Sequence, residues 1–346
     1  MFGKNLKYYR LRNGLSRKEL AERVGVSPMS ITHYENEERK PEIGILRRLA
    51  NALGVKLADF LAVRNGNHQY VHCEFRKNSA LAKSDQDLIC ESVEEYFDRF
   101  FNVVDALGGE VLPACPEARC VQVDHDAEEA ARRLREHLGF AAAGPILNLA
   151  GAMENKGILL FRCPMEKEHF SGMNGTVDGR PYIILNTNMT AERQRSTLVH
   201  ELAHIFCVFP ADMADKEREE FATAISGAFL CPREDMLREL GLRRTRITSD
   251  MFMVAQEYGV STLLLMKRAN LSGIISNAVY KDFMIRASQR GWRRNEPSRI
   301  PEETTSLFEQ LTLRAVNEDE LSEQRGAELL GLSFDDFDRM VHAQEA

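Results

Sequence analysis

The chain has 346 residues, of which 44% are hydrophobic and 28% charged, and its formal net charge is −7. This length exceeds one average domain, so we expect two or three folded units. No stretch approaches the roughly 18 consecutive apolar residues of a membrane span, and the start, MFGKNLKYYRLRNGLS, lacks the apolar segment of a signal peptide. These features exclude a membrane-spanning protein and predict a cytoplasmic one.

The seven cysteines are scattered without CxxC spacing, which predicts reduced thiols and argues against a disulfide framework or a cysteine-based zinc ribbon. Cys115 and Cys120 are the nearest pair, and we expect them not to bind metal. Cys207 is expected to be a small buried residue rather than a ligand.

Charge is distributed unevenly along the chain. Residues 1–65 contain thirteen Lys and Arg against seven Asp and Glu, a net charge of +6, which leaves −13 for residues 66–346. The basic N-terminal segment suits a phosphate backbone, whereas the acidic remainder would be repelled by one.

Five short helices are predicted between Lys4 and residue 65. The first, KNLKYYRLRNG, ends at Gly14. Ser16 and Glu19 form a capping box for SRKELAERV, and Ser27 caps PMSITHYENE. The segments EIGILRRLANALG and KLADFL complete the set. The two helices joined by GVS form a helix-turn-helix pattern, whose second helix can enter a DNA major groove.

The stretches LSRKELAERVGVSPMSITHYENEERKP and LRRLANALGV resemble the XRE-like family of Cro and phage repressors over residues 4–62. The resemblance implies binding of a double-stranded DNA operator, and it places Leu20, Ala21 and Ile31 in the core. A module this small rarely holds DNA specifically alone, so we expect a homodimer. Arg17 stands where the family commonly carries Gln, so its guanidinium can pair with phosphate or guanine. A module for protein contacts is the alternative. The implied exposed face of the recognition helix consists of Pro28, Met29, Ser30, Thr32 and His33.

A long amphipathic helix is predicted from about Ser84 to Leu107. We expect it to space or dimerise the two functional ends of the chain, and packing on its own domain is the alternative. Next come the helix HDAEEAARRLREHLG, a helix and a strand in GPILNLAGAMENKGILLFRC, and two strands around a Gly-rich turn in SGMNGTVDGRPYIILNTN. A helix capped by Thr190 follows, so a small sheet precedes it.

That helix contains TLVHELAHIF, in which His200 and His204 are four residues apart and project from one face. Both imidazoles can therefore reach one metal ion. Glu201 lies about 100° around the helix, where it can reach a metal-bound water without being a ligand. A pair of core histidines is the alternative. The downstream helix KEREEFATAISGAFLCP offers Glu219 as the third ligand, with Glu220, Glu217 and Asp215 as rivals.

The stretches AARRLREHLGF, PYIILNTN, ERQRSTLVHELAHIF and EREEFATAISGAFLCP resemble the ImmA/IrrE family of metallopeptidase domains over about residues 127–232. The resemblance implies one Zn²⁺ per chain on His200, His204 and Glu219, with Glu201 as general base. The chain departs from the common Asn, Phe and Ala of the family at Thr223, Ile225 and Ser226. The family pattern therefore does not determine the shape of the pocket. The family also commonly carries an XRE-like head. Farther on, LSEQRGAELLGLSFDDFDRMV predicts two helices capped by Ser322 and Ser333.

The expected fold class is α+β: an all-α helix-turn-helix domain (1–65), a linker with a long helix (66–120), a mainly helical zincin-like domain with a small sheet (121–240) and a helical C-terminal extension (241–346). The expected function is a DNA-binding transcriptional regulator with a zinc endopeptidase domain that cleaves a regulatory protein, such as a repressor or the chain itself. The alternative is a transcription factor or antitoxin-type regulator whose peptidase-like body is a sensor that cuts nothing.

Overall fold

The structure is a computed structural model that describes residues 2–62, 68–72, 81–166 and 170–342. Parts of the expected linker, residues 66–67 and 73–80, lie outside the described residues. The described residues are mostly helical and form two small sheets, so the expected α+β class is confirmed. None of the described helices is both long and apolar enough to cross a membrane.

In chain order the helices are α1 (Phe2–Arg12), α2 (Arg17–Val24), α3 (Pro28–Glu35), α4 (Ile43–Leu53), α5 (Lys83–Ala106), α6 (Ala127–His137), α7 (Leu149–Glu154), α8 (Ala191–Phe206), α9 (Asp215–Leu230), α10 (Arg233–Leu240), α11 (Ser249–Glu257), α12 (Thr262–Leu271), α13 (Asn277–Gln289), α14 (Leu307–Asn317), α15 (Glu323–Leu330) and α16 (Phe334–Val341). The strands are β1 (Tyr70–His72), β2 (Val121–Gln122), β3 (Leu159–Cys163), β4 (Gly172–Val177), β5 (Arg180–Asn186) and β6 (Cys207–Val208). A 3-10 helix covers Leu57–Leu61.

The chain divides into two compact units. The helical unit contains the described parts of residues 1–70, 74–111 and 308–346, and the mixed unit contains those of residues 71–73 and 112–307. The two units follow from contacts between residues and combine separate parts of the chain. They do not test the four domain boundaries expected from the sequence, which stay a prediction.

Capping residues and a glycine mark the ends of the first helices of the helical unit. Ser16 accepts a hydrogen bond from the backbone of Glu19, whose carboxylate accepts one from the Ser16 backbone, so the expected capping box is present. Gly25 ends α2 with φ of 72°, and the Ser27 side chain caps α3. The five expected helices are present, the last as the 3-10 helix. Leu20, Ala21 and Ile31 are fully buried, as expected.

The long helix α5 packs inside the helical unit. Lys7 of α1 forms a 2.7 Å ion pair with Glu91 of α5. At the other end of α5, Arg99 donates to the backbone oxygen of Leu329 in α15. Of the two roles weighed from the sequence, packing on its own unit is the one that these contacts show.

The main sheet of the mixed unit has the strand order β1-β4-β5-β3. β4 and β5 are antiparallel and joined by Asp178 and Gly179, both with positive φ, which confirms the expected hairpin. β3 pairs with β5 in parallel. A second, parallel pair joins β2 to β6, with Val121 opposite Cys207, and no sequence pattern indicated it.

Helices α8 and α9 pack against each other, and α8 also packs on β4 and β5. Leu198, Leu202 and Phe206 of α8 recur every four residues and are buried, so they form the stripe that faces the core. His200 and His204 lie off this stripe. The packing of α8 therefore leaves both imidazoles outside the apolar core.

The first half of α8 is also held by residues near the end of the mixed unit. Glu303 accepts hydrogen bonds from the backbone nitrogens of Leu149 and Ala150 at the start of α7, and it pairs with Arg195 of α8. Arg195 also donates to the backbone oxygen of Ile146 at 2.8 Å. Burial lowers the pKa of Arg195 to about 10, which still leaves the guanidinium charged at neutral pH.

Candidate functional site

Two imidazoles of α8 meet one carboxylate of α9. The Nε2 atoms of His200 and His204 are 3.1 Å apart, because residues four apart lie one above the other on a helix. Glu219 Oε2 lies 3.1 Å from His200 Nε2 and 3.5 Å from His204 Nε2. The structure thus brings together the three residues expected to be metal ligands.

Small residues of α9 allow this approach. Ala222 is fully buried, and the Ser226 hydroxyl donates to the backbone oxygen of Ser196 in α8 at 2.8 Å. These contacts bring Glu219, one turn earlier on α9, against the imidazoles. Ser226, one of the departures from the common family pattern, therefore joins the two helices.

The other acidic residues of α9 point elsewhere. Asp215 is fully exposed, and Glu220 has a side chain 71% exposed beside Lys216. Glu217 accepts a hydrogen bond from the backbone of Ala214 at the start of the helix. Of the four candidates from the sequence, Glu219 alone lies against the histidines.

The separation of the donor atoms fits a zinc ion. Bonds of about 2.0–2.2 Å to nitrogen and oxygen in a tetrahedral arrangement separate ligand atoms by about 3.3 Å. The three measured separations, 3.1, 3.1 and 3.5 Å, are close to this value. Among the described residues, these three form the group of histidine and acidic side chains able to hold a metal ion.

Thr223 contacts both the backbone of α9 and the ring of His200. Its hydroxyl donates to the backbone oxygen of Glu219 at 2.9 Å. The same oxygen lies 3.3 Å from His200 Nδ1. With its hydrogen directed to Glu219, the hydroxyl can accept from an Nδ1–H group, the tautomer that leaves Nε2 to bind a metal. Thr223, a second departure from the family pattern, keeps a hydrogen-bonding side chain at the site.

Glu201 lies next to this group but is not one of its members. The residue is only 8% exposed, and its Oε2 accepts a 2.7 Å hydrogen bond from the Asn174 amide of β4. Glu201 is rotated about 100° from His200 around α8, so its side chain leaves the helix in a different direction from the two imidazoles.

Aromatic side chains form one wall of the site. The Phe209 ring lies 5.8 Å from the His204 ring, and Phe221 of α9 lies 6.3 Å from Phe209. These rings give the metal position an apolar side, where electrostatic interactions are stronger than in water.

Thiols take no part in the described centre. Cys207 is buried directly after α8, and burial raises the pKa of its thiol to about 12, so it stays neutral at physiological pH. Cys115 is half-buried, whereas Cys120 is exposed. Neither belongs to the described group able to hold a metal.

The face of α3 expected to meet DNA is only partly open. Pro28 and Met29 are exposed, Met29 by 61%, whereas Ser30, Thr32 and His33 are half-buried. Ser30 is hydrogen-bonded to the Ser27 hydroxyl at 2.9 Å, and Thr32 donates to the Pro28 backbone oxygen at 3.2 Å.

Two of the residues expected to contact DNA already have charged partners. Arg17 pairs with Glu35 at 2.7 Å, and Arg10 binds the other oxygen of the same carboxylate. The His33 ring is hydrogen-bonded to Glu38. Arg17 is nevertheless 44% exposed, so the rest of its guanidinium faces solvent.

Sequence reasoning did not single out Asn174 or the partner of Arg17. Asn174 lies on a strand far from α8 in the chain, and no local pattern marks it. The signal for Glu35 was weak, because an acidic residue at the end of a helix is ordinarily solvated.

Two segments of the chain match known protein families. Residues 6–60 match the helix-turn-helix family profile, and residues 153–270 match the profile of the IrrE N-terminal-like domain, a peptidase family. The chain carries an XRE-type helix-turn-helix domain and an IrrE N-terminal-like domain. The IrrE-like match covers α8, α9 and the candidate metal centre, and it continues through most of α12.

Among curated proteins, no sequence matches the chain significantly. One solved structure with a significant match is Bacillus thuringiensis PlcR in complex with the peptide PapR7 and DNA, at 12% identity, covering 99% of this chain and 97% of that chain. Its TM-score of 0.19 is too low to show a shared fold.

Proposed function

We propose that this protein is a DNA-binding transcriptional regulator whose IrrE-like domain is a zinc-dependent endopeptidase. The proposed peptidase activity is supported mainly by the convergence of His200, His204 and Glu219 on one position. Glu201 follows His200 directly on α8 and is hydrogen-bonded to Asn174. Two imidazoles and one carboxylate are a donor set of hydrolytic zinc sites, which keep a further position open for water.

The proposed reaction is hydrolysis of a peptide bond. A zinc ion on the three ligands would polarise the scissile carbonyl and lower the pKa of a water molecule. Glu201 accepts a proton from water as the water oxygen bonds to the carbonyl carbon. The same carboxyl group then gives that proton to the amine nitrogen as the C–N bond breaks. His200, in contact with Thr223, and His204 would hold the metal and transfer no proton.

The proposed substrate is a regulatory protein: a repressor, an antitoxin-type partner or another copy of this chain. The helix-turn-helix match and the +6 charge of residues 1–65 support a duplex DNA partner, which would bring the peptidase domain close to other proteins on the same operator. A homodimer is part of the proposal, because one small module reads only half of a two-part site.

Glu201→Gln in the full chain tests the peptidase half. Glutamine keeps the acceptor for Asn174 but cannot take a proton, so the variant should bind about as much zinc as wild type and lose cleavage. Zinc-loaded wild type, Glu201→Gln and the exposed control Glu220→Gln would be incubated with cell extract, and new protein termini counted by mass spectrometry. Wild type and Glu220→Gln should generate shared termini that Glu201→Gln does not. Equal cleavage by Glu201→Gln would contradict the role of this carboxylate.

A sensor that cleaves no protein is the second candidate. It is favoured because one chain combines three residues able to hold a metal ion with a DNA-binding domain. The two functions differ in a cell carrying a reporter for the regulated promoter. A sensor predicts that Glu201→Gln regulates as wild type does, whereas His204→Ala, which removes a ligand, disturbs regulation. A peptidase predicts that both variants disturb it.

A further inference from the structure

Asn174 is a polar residue of β4 that reaches the candidate site from the sheet. Its amide nitrogen donates to Glu201 Oε2 at 2.7 Å. The residue is half-buried, and Glu201 is buried. Among the described residues, this is the hydrogen bond that Glu201 makes through its side chain, so it is the contact that orients the carboxylate.

The spacing of β4 against α8 explains the contact. Gly172 and Asn174 are two residues apart and share one face of the strand, a separation of about 6.7 Å. Thr197 and Glu201 are four residues apart on α8, a rise of about 6 Å. A Cβ atom on Gly172 would lie 2.5 Å from the Ile184 backbone oxygen of β5 and 2.7 Å from Thr197 Cγ2 of α8. The missing side chain at Gly172 lets α8 approach β4, and this approach brings Glu201 within reach of Asn174.

β4 is also held against sliding. Asn174 is paired with Ile183 of β5 in the middle of the antiparallel ladder. At the next residue, a Cβ atom on Gly175 would lie 2.3 Å from the Tyr182 hydroxyl and 2.6 Å from the Val71 backbone oxygen of β1. Neighbours on both sides of the strand therefore fix the backbone that carries the amide.

The chemistry of an amide suits a partner for a general base. An Asn nitrogen donates hydrogens without carrying a charge, so it orients a carboxylate without neutralising it as Lys or Arg would. Because Asn174 holds Oε2, the other oxygen of Glu201 is left to receive a proton. A fixed carboxylate also loses less conformational freedom when the reaction begins.

We propose that Asn174 is a positioning residue that holds Glu201 in the orientation needed to take a proton from water. The proposal rests on the proposed peptidase function and assigns Asn174 no contact with substrate. It separates two properties of the site: the three ligands hold the metal, and the Asn174 amide orients the base.

The test compares full-length, zinc-loaded wild type with Asn174→Ala and Asn174→Asp. The aspartate variant keeps the size of the side chain but presents an oxygen to Glu201, so it distinguishes donation from packing. Thr176→Ala, on the same face of β4 and two residues along, is the matched control. The probe is fluorescein-labelled, reduced casein, and the readouts are kcat, KM and bound zinc.

Loss of a partner that orients a site residue typically costs about 10- to 100-fold in activity. We expect both Asn174 variants to lose kcat in this range, with KM within about twofold of wild type. Bound zinc should stay unchanged, and Thr176→Ala should behave as wild type. Unchanged kcat in Asn174→Ala, wild-type kcat in Asn174→Asp, or loss of zinc together with activity would each overturn the proposal.

A structural measurement decides the proposal without any substrate. Crystal structures of zinc-loaded wild type and Asn174→Ala should show one orientation of the Glu201 carboxylate in wild type and a different or divided one in the variant. An unchanged carboxylate in Asn174→Ala overturns the positioning role. If wild type cleaves nothing, the proposed peptidase function fails, and the two crystal structures still decide whether Asn174 orients Glu201.

Discussion

The helix-turn-helix core and the metal centre each bury one glutamate, in opposite electrostatic surroundings. Glu35 at the end of α3 has a side chain only 1% exposed and pairs with the guanidinium groups of Arg10 and Arg17. Glu201 on α8 is also buried, but its described partner is the neutral amide of Asn174. The Glu35 carboxylate is paired with positive charge, whereas the Glu201 carboxylate is held by an uncharged hydrogen-bond donor.

This difference separates a structural acid from a candidate reactive one. A buried carboxylate that is hydrogen-bonded by two guanidinium groups is held in place by charged partners, so its role is structural. An oriented carboxylate without a charged partner can still act as a base. Burial alone therefore does not identify a functional acid, and the chemistry of its partner is needed.

The largest expected effect is the loss of stability in Glu35→Gln. Removing one member of a buried ion pair leaves the other charge without compensation, so unfolding should become easier by about 3 kcal/mol. Glu201→Gln should change stability by less than about 1 kcal/mol, since glutamine still accepts from Asn174. Urea unfolding of the full chain measures both changes.

Glu22→Gln, on the exposed surface of α2, is the control for the first change. It should leave the unfolding transitions where they are in wild type. Equal destabilisation by Glu35→Gln and Glu201→Gln would show that the two carboxylates do not differ as their partners indicate.

A smaller effect is expected when the partner of His200 is removed. Thr223→Val keeps the shape of the side chain but cannot accept from Nδ1, so zinc affinity should fall about 10-fold. Thr223→Ser restores the hydroxyl and should recover most of the affinity. Competition with a chelator measures the zinc dissociation constants. Equal affinities in the valine variant and wild type would remove the role assigned to Thr223.

The smallest effect concerns Arg17, whose charge is already shared with Glu35. Arg17→Ala in the full chain should weaken binding to a duplex selected by wild type from a random library about fivefold more than binding to random duplex. His33→Ala should act in the same direction. Fluorescence anisotropy at several salt concentrations measures both. Equal losses on the two duplexes would indicate phosphate contact alone.

The helices of residues 2–62 were predictable because their signals are local. The Ser16 and Glu19 capping box, the Ser27 cap and the glycine after α2 act over three or four residues, and the structure forms each of them. Thr190 was correctly placed at the start of α8, although its side chain makes no capping hydrogen bond. The β2 and β6 pair was not predictable, because two residues per strand carry no periodicity.

The three residues of the candidate metal centre were expected from the sequence for two different reasons. His200 and His204 follow from helix geometry alone, whereas Glu219 depended on a face of small residues that the packing of α9 then used. The role of Asn174 could not be predicted from the sequence, because its contact with Glu201 depends on how β4 packs against α8. Family likeness supplied roles for the ligands but none for an amide on a strand.

The zinc content of the purified full chain tests the central claim most directly. Wild type, Glu219→Gln and Glu220→Gln would be dialysed against the same buffer and their zinc measured by atomic emission. A centre built by His200, His204 and Glu219 predicts about one zinc per chain in wild type and in Glu220→Gln, and far less in Glu219→Gln. Wild type without zinc, or greater zinc loss in Glu220→Gln than in Glu219→Gln, would contradict the account.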